Sequence, residues 1–161
     1  MALEIERKFL LANDKWRHAV LRSAVIRQGY LNTAPERAVR VRIKGDQGWL
    51  TIKGRGDGIS RPEYEYEIPL EDAQSLLDLC EQPIIEKIRH EVKVGNHLWE
   101  IDEFSGVNGG LELAEVELSV EDEVFLLPVW LGREVTHQTQ YSNISLIKHP
   151  FKKWLQPGFS K

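Results

Sequence analysis

Charged side chains alternate with apolar ones at the start of the chain, in the run Glu4-Ile5-Glu6-Arg7-Lys8. On a β-strand this spacing directs Glu4, Glu6 and Lys8 to the same face. Neighbouring carboxylates repel each other unless a cation or water relieves them, and a hard divalent metal such as Mg²⁺ binds through such oxygen ligands. The lysine beside them suits the anion that such a metal usually accompanies, a phosphate. A solvent-facing strand also alternates charges, so this run alone is a weak signal.

The alternation repeats along the chain, and most repeats carry one sign of charge. The basic and acidic runs are Arg40-x-Arg42, Thr51-x-Lys53, Glu63-x-Glu65-x-Glu67, Lys87-x-Arg89, Glu100-x-Asp102 and Glu115-x-Glu117. Periodicity alone allows these faces to be the polar exterior of an apolar core. A solvated face normally mixes the two signs with neutral polar residues, however. The separation of sign therefore favours a closed barrel whose acids hold cations and whose bases hold a polyanion.

Length and composition indicate one domain over residues 1–161, with 42% hydrophobic residues and a net charge of −4. This charge argues against a broad basic surface for nucleic acid. The single cysteine, Cys80, excludes an internal disulfide, and its apolar neighbours predict a core thiol. We find no apolar run that would span a bilayer and no signal peptide, so we expect no membrane partner and a cytoplasmic location.

The predicted elements are mainly strands, which places the chain in a mainly β (α+β) class. Strands are predicted near 2–11, 24–31, 37–44, 48–53, 61–68, 84–94, 97–104 and 111–119. Helices are predicted over 14–21 and 70–80, with shorter ones over 126–131 and 143–148 outside the sheet. Residues 149–161 form a docked helix or a partly ordered tail. Eight strands suit a closed antiparallel barrel with room for one small ligand, and we interpret Trp49, Trp99 and Trp130 as exterior packing residues.

Together these motifs resemble the triphosphate tunnel metalloenzymes, the CYTH superfamily, and in particular their bacterial single-domain inorganic triphosphatases. The resemblance covers nearly the whole chain, because all the runs above occur in order and are followed by Gly132-Arg-Glu-Val-Thr136 and Tyr141-Ser-Asn143. It implies an eight-stranded antiparallel β-barrel tunnel with helices packed outside. It also implies action on a triphosphate with Mg²⁺ or Mn²⁺ as cofactor. Relatives often dimerise, so a homodimer is an expectation from the resemblance alone.

The resemblance also implies roles for individual residues. The expected metal ligands are Glu4, Glu6, Glu115 and Glu117, with Asp102 supporting the metal shell directly or through water. The expected triphosphate ligands are Lys8, Arg40, Arg42, Lys53, Lys87 and Arg89. Lys8, Tyr30 and Lys87 are the candidate catalytic residues, although core packing explains Tyr30 equally well. The strand from Glu63 to Glu67 is expected to orient the bases, with metal binding second.

Charge balance supports these roles independently, because clustered bases neutralise a triphosphate and arginine grips two phosphate oxygens at once. We expect in-line attack of a metal-activated water on the terminal phosphorus of inorganic tripolyphosphate, which yields diphosphate and phosphate. The short chain shows no insert for recognising a base. The alternatives are a thiamine or nucleoside triphosphatase, a class IV-type adenylate cyclase, and a polyphosphate-binding module without turnover.

Overall fold

Nine antiparallel strands form one sheet in the computed structural model, which describes residues 3–56 and 59–154. The strands are β1 Leu3–Leu11, β2 Val20–Asn32, β3 Ala38–Lys44, β4 Gln47–Lys53, β5 Ser60–Ile68, β6 Ile85–Val94, β7 His97–Phe104, β8 Glu112–Glu117 and β9 Leu131–Glu134. Their order is β5-β4-β3-β2-β6-β7-β8-β1, and a pairing between β1 and β5 closes the ring. The predicted eight-stranded barrel is therefore confirmed, and β9 is an additional strand outside it.

Strand β1 has three partners along its length. Leu3 to Ile5 pair with β5, Glu6 to Phe9 pair with β8, and the end of the strand pairs with β9. The barrel therefore closes on the strand that carries the first charged run of the sequence.

The strand register brings the charged runs onto one face of the sheet. Arg40 lies opposite Thr51, Arg89 lies opposite Asp102, and Lys8 lies opposite Glu115. Residues directly opposite each other in an antiparallel ladder project to the same side. The charged runs consequently share the concave side of the closed sheet.

Apolar residues from the other positions of each strand pack outside the barrel. Helix α1 (Leu70–Leu79) covers β3 and β4, and its Ala73 and Leu77 are buried against Val41 and Ile43. Glu71 and Asp72 lie in its first turn, where the helix dipole favours acids. Cys80 is buried in the same cluster, as predicted for a core thiol.

Two further apolar clusters complete the packing. Trp99 and Trp130 pack with Trp16 in one of them, which confirms the exterior packing role predicted for the first two. The other cluster joins Tyr30 and Phe104 of the barrel to residues of the C-terminal region: Val135, Tyr141, Leu146, Ile147 and Trp154. Helix α2 (Asn143–Lys148), which was predicted, therefore docks against the barrel.

Two predicted helices differ from the structure, and the predicted C-terminal tail is described only in part. The helix predicted over 126–131 is wrong: this segment is irregular and leads into β9, and Pro128 disfavours helical backbone at Leu127. The helix predicted over 14–21 is a 3-10 helix, Lys15–Ala19, since β2 begins at Val20 to pair with β6. The tail predicted over 149–161 is described only to Trp154, with a 3-10 turn at Phe151–Lys153; the remainder lies outside the described residues.

Within the described ranges, no helix has the length and apolar character needed to cross a membrane.

Candidate active site

The barrel encloses a cavity of about 480 Å³ whose wall consists mainly of charged side chains. The predicted site residues that border it are Glu4, Glu6, Lys8, Tyr30, Arg40, Arg42, Lys53, Arg89, Glu115 and Glu117. Lys87 and Asp102 are not among the residues that border it. The charged faces of the strands therefore point inward, and the alternative of a polar exterior around an apolar middle is wrong.

The two signs of charge occupy different halves of the barrel. Acidic side chains come from the adjacent strands β7, β8, β1 and β5, and they are Glu100, Glu115, Glu117, Glu4, Glu6, Glu63 and Glu65. Basic side chains come from the neighbouring strands β4 and β3 and from β6, which is separated from β3 by β2. These side chains are Lys53, Arg40, Arg42, Lys44 and Arg89. Lys8 and Arg61 are the two lining cations on the acidic half. We call these halves the acidic wall and the basic wall.

Crowding of carboxylates dominates the acidic wall. Burial, together with Glu115 and Glu4, raises the pKa of Glu6 well above its usual value. Burial also raises the pKa of Glu117, and Glu4 adds to the effect. Burial alone would raise the pKa of Glu4 too, but Lys53 and Arg61 outweigh it and hold that pKa low. Like charges forced together in this way are relieved by a cation.

The basic wall holds donors that suit an anion. Arg40 donates from Nη2 to Thr51 Oγ1 at 3.1 Å and to Glu65 Oε2 at 3.3 Å, while its buried Nε has no partner within the described residues. Burial lowers the pKa of Arg42, and the neighbouring Arg40 and Arg89 add to the effect. An anion in the cavity would offset the repulsion between Arg42 and its neighbours Arg40 and Arg89.

A buried ion-pair group lies on the barrel-facing side of β6 and β7, beside the residues that line the cavity. Asp102 Oδ2 accepts a hydrogen bond from Lys87 Nζ at 2.7 Å, and Arg89 donates to both carboxylate oxygens at 2.7 and 2.9 Å. Lys87 and Asp102 are each only 1% exposed. Burial lowers the pKa of Lys87 to about 7 despite the attraction of Asp102. Asp102 thus fixes Arg89, whose side chain does reach the cavity.

The C-terminal region forms part of the cavity wall. Lys8 Nζ donates to the carbonyl oxygen of Tyr141 at 3.2 Å and lies 3.9 Å from Glu115 Oε1. Ser142, Asn143 and Ile144 also border the cavity. Tyr30 borders it while packing in the apolar cluster with Tyr141, so the structure supports both interpretations of Tyr30.

Several residues that line the cavity were not predicted from the sequence: Lys44, Gln47, Arg61, and the segment from Ser142 to Ile144. Lys44 and Arg61 continue the period-two alternation of Arg40-x-Arg42 and Glu63-x-Glu65 by one step, so the pattern contained a signal for both. Trp49 also borders the cavity, and its prediction as an exterior residue is wrong. It alternates with Thr51 and Lys53 on β4, and this spacing places it on their face.

No three carboxylate, imidazole or thiol groups among residues 3–56 and 59–154 converge as a preformed metal site. Mg²⁺ usually binds through one or two carboxylates together with water and substrate phosphates. The oxygen-only donors Glu6 and Glu115 have the chemistry that this mode requires, and the repulsion that raises the pKa of Glu6 would be relieved by a cation.

A closed barrel with facing walls of opposite charge has the chemistry to accommodate a polyanion together with cations. The CYTH domain profile matches residues 2–151, and the chain belongs to the CYTH family.

Two curated relatives carry the name inorganic triphosphatase. The one from Acetivibrio thermocellus is 46% identical over 155 residues, which is 96% of this chain and 99% of the relative. The one from Nitrosomonas europaea is 40% identical over 149 residues, 89% of this chain and 95% of the relative. The crystal structure of the inorganic triphosphatase NE1496 superposes with a TM-score of 0.66 at 35% identity, and the match covers 91% of this chain and 95% of that one.

Proposed function

We propose that this protein is an inorganic triphosphatase, which hydrolyses tripolyphosphate to diphosphate and phosphate inside the barrel. The observation that carries the proposal is the pairing of an acidic wall and a basic wall around one cavity of about 480 Å³. The CYTH family membership and the names of its relatives support the same activity.

The basic wall is the proposed binding surface for the phosphates. Arg40, Arg42 and Arg89 present planar guanidiniums, which form paired hydrogen bonds with phosphate oxygens. Lys8 and Lys53 border the same space as point charges. Lys87, which does not border the cavity, is proposed to contribute through Asp102 and Arg89 rather than through contact with substrate.

The acidic wall is the proposed location of the metal. CYTH triphosphatases are metal-dependent, and we propose Mg²⁺ or Mn²⁺ held by Glu6 and Glu115, with Glu4 and Glu117 beside them. When bound, such a cation supplies neutralisation of phosphate charge and activation of water. Asp102, which is enclosed by Lys87 and Arg89, is proposed as a support for Arg89 in place of a metal ligand.

Phosphoryl transfer requires positioning and charge stabilisation more than covalent chemistry by the protein. The fixed guanidiniums of Arg40 and Arg89 would stabilise the charge that develops on the departing diphosphate. Lys8 and Tyr30 stay the candidate groups beside the reacting phosphate, because both border the cavity. The assignment of a proton donor or base to either residue is a proposal for mutagenesis.

The decisive experiment measures phosphate release from tripolyphosphate with Mg²⁺, with Mn²⁺ and with EDTA. We expect turnover with a divalent metal and none with EDTA. Glu6→Gln and Glu115→Gln should lose turnover at unchanged thermal stability, whereas Glu103→Gln, which alters an external ion pair with Arg17, should retain it. Full activity in EDTA or in both cavity variants would refute the proposed metal site, and absence of turnover in the wild type would refute the function.

A second candidate, hydrolysis of an organic triphosphate, is favoured by one observation. Trp49 places an aromatic ring in the cavity wall near Lys44 and Gln47, and aromatic rings stack on heterocycles. Assays with ATP and thiamine triphosphate under the same conditions distinguish the candidates. Cyclic AMP with diphosphate would indicate a cyclase, and tight binding without any product would indicate a binding module.

A further inference from the structure

Among the residues that the structure describes, Arg42 is the cation of the cavity wall that has no carboxylate oxygen within 4.0 Å. Across residues 3–56 and 59–154, each of the other lining cations has a carboxylate oxygen within 4.0 Å. These pairs are Lys8–Glu115, Arg40–Glu65, Lys44–Glu91, Lys53–Glu4, Arg61–Glu4 and Arg89–Asp102. No such pair involves Arg42, so its charge is the least compensated on the basic wall.

A neutral side chain orients Arg42 instead. Gln28 lies opposite Arg42 in the pairing of β2 with β3, and its Oε1 accepts a hydrogen bond from Arg42 Nε at 2.7 Å. Gln28 is 0% exposed. The bond uses Nε, which leaves the two terminal nitrogens of the guanidinium for other acceptors.

The choice of an amide at this position has a cost that a carboxylate would avoid. Gln28 Nε2 is buried without a hydrogen-bond partner within the described residues, and a buried donor in this state is unfavourable. A glutamate of nearly the same shape would remove this donor and would form a stronger, charge-assisted bond with Arg42. It would also neutralise Arg42, as the carboxylates do for its neighbours.

We propose that Gln28 is a positioning residue that aligns Arg42 while leaving its positive charge uncompensated for the substrate. Arg42 is then the principal anchor for the triphosphate, since the other lining cations share their charge with a carboxylate. The inference rests on the proposed function, and it assigns Gln28 a part in substrate affinity although Gln28 does not border the cavity.

The test compares Gln28→Glu with Gln28→Met. Q28E retains an acceptor for Arg42 but cancels its charge, while Q28M retains the charge but removes the acceptor. We expect Q28E to raise the KM for tripolyphosphate, measured with the divalent metal, at least about tenfold, because a charge-assisted contact is lost. The calorimetric Kd for tripolyphosphate, measured in EDTA, should rise by a similar factor, with little loss of thermal stability. Q28M should weaken binding less and reduce kcat, because Arg42 is then charged but misaligned.

The relative affinity of the two variants for tripolyphosphate distinguishes this positioning role from a purely structural one. A structural role predicts that Q28E, which preserves the hydrogen bond, outperforms Q28M in both binding and stability. Gln74→Glu on the exposed face of α1 adds the same charge outside the barrel and should match the wild type. Thermal unfolding of all variants identifies losses that come from misfolding, and Q28M tests the orienting role even where Q28E fails to fold.

Binding of tripolyphosphate to Q28E within about twofold of the wild type, or tighter than to Q28M, would overturn the inference alone. A wild-type protein that neither binds nor hydrolyses tripolyphosphate would overturn the proposed function and this inference with it. A wild type that binds tripolyphosphate without turnover, with the predicted order of variants, would support the inference and refute the proposed catalysis.

Discussion

The sharpest test of the buried ion-pair group is the replacement of Asp102 by asparagine. Asp102 accepts hydrogen bonds from Lys87 and Arg89 at 2.7 to 2.9 Å. Burial alone would raise the pKa of Asp102, but Arg89 and Lys87 outweigh burial and hold the pKa well below its usual value. The carboxylate is therefore charged under all ordinary conditions. Asparagine preserves its shape, removes the anionic partner of Lys87 and leaves Arg89 with Glu100 as its carboxylate partner.

The expected loss follows from the burial of all three groups. Removing one partner from a buried ion pair typically costs about 3–5 kcal/mol. A protein of this size loses about 2–4 °C of Tm for each kcal/mol, so Asp102→Asn should lower the Tm by roughly 6–20 °C. Glu103→Gln is the matched control one residue away, because Glu103 pairs with Arg17 at the surface, where the side chain is 34% exposed. Such a pair contributes about 1 kcal/mol or less.

Thermal unfolding followed by circular dichroism, with and without EDTA, measures this difference. A structural role for Asp102 predicts the same large loss of Tm in both conditions, whereas a metal ligand would show its loss only with metal present. A decrease in Tm below about 3 °C for Asp102→Asn, or one that vanishes in EDTA, would refute the assignment.

Three further predictions concern the outside of the barrel. Arg7 donates two hydrogen bonds to Glu134, at 2.8 and 2.6 Å, and lowers the pKa of Glu134. The pair therefore stabilises the fold above the unfolded pKa of 4.5, and this stabilisation is lost as the pH falls through the lower folded pKa. Glu134→Gln should accordingly flatten the acid limb of a plot of Tm against pH. Burial raises the pKa of Cys80 from 9.0 to about 11, so iodoacetamide should modify it at least about 100-fold more slowly in native than in urea-unfolded protein, as mass spectrometry would show. A Cβ on Gly29 would lie 2.7 Å from Cys80 Cβ, so Gly29→Ala should destabilise the protein by about 1–3 kcal/mol in urea unfolding. An acid limb unchanged in Glu134→Gln would contradict the first prediction, and equal modification rates of Cys80 in native and unfolded protein would contradict the second. A wild-type urea midpoint for Gly29→Ala would contradict the third.

The sequence contained most of the site because an alternating strand pattern encodes which side chains share a face. Glu4, Glu6 and Lys8 on β1, or Arg40 and Arg42 on β3, could be placed together from spacing alone. The separation of acidic and basic residues onto different strands then indicated an interior site, because a solvent-exposed face normally mixes the two signs of charge. The closed barrel followed from the number of strands and the cost of exposed sheet edges.

Other features depend on contacts between distant segments, which spacing does not encode. Lys87 and Asp102 fit the same alternating pattern as the cavity residues, yet they pair with each other and do not border the cavity. Trp49 was predicted as an exterior residue because large aromatic residues usually pack against apolar surfaces, although its spacing from Thr51 and Lys53 indicated the cavity face. The segment from Ser142 to Ile144 borders the cavity through docking of α2, for which no local pattern exists.

The closure of the ring on β1 has a consequence for synthesis. The β8 and β9 partners of Glu6 to Phe9 lie more than 100 residues further along the chain, so a ribosome working at about 5–20 residues per second leaves this part of the first strand without them for roughly 5–20 seconds. An unpaired strand invites association with other nascent chains, and charged residues discourage it. The charged side chains of Glu6 and Lys8 in this part of the strand would oppose such association until β8 has been made.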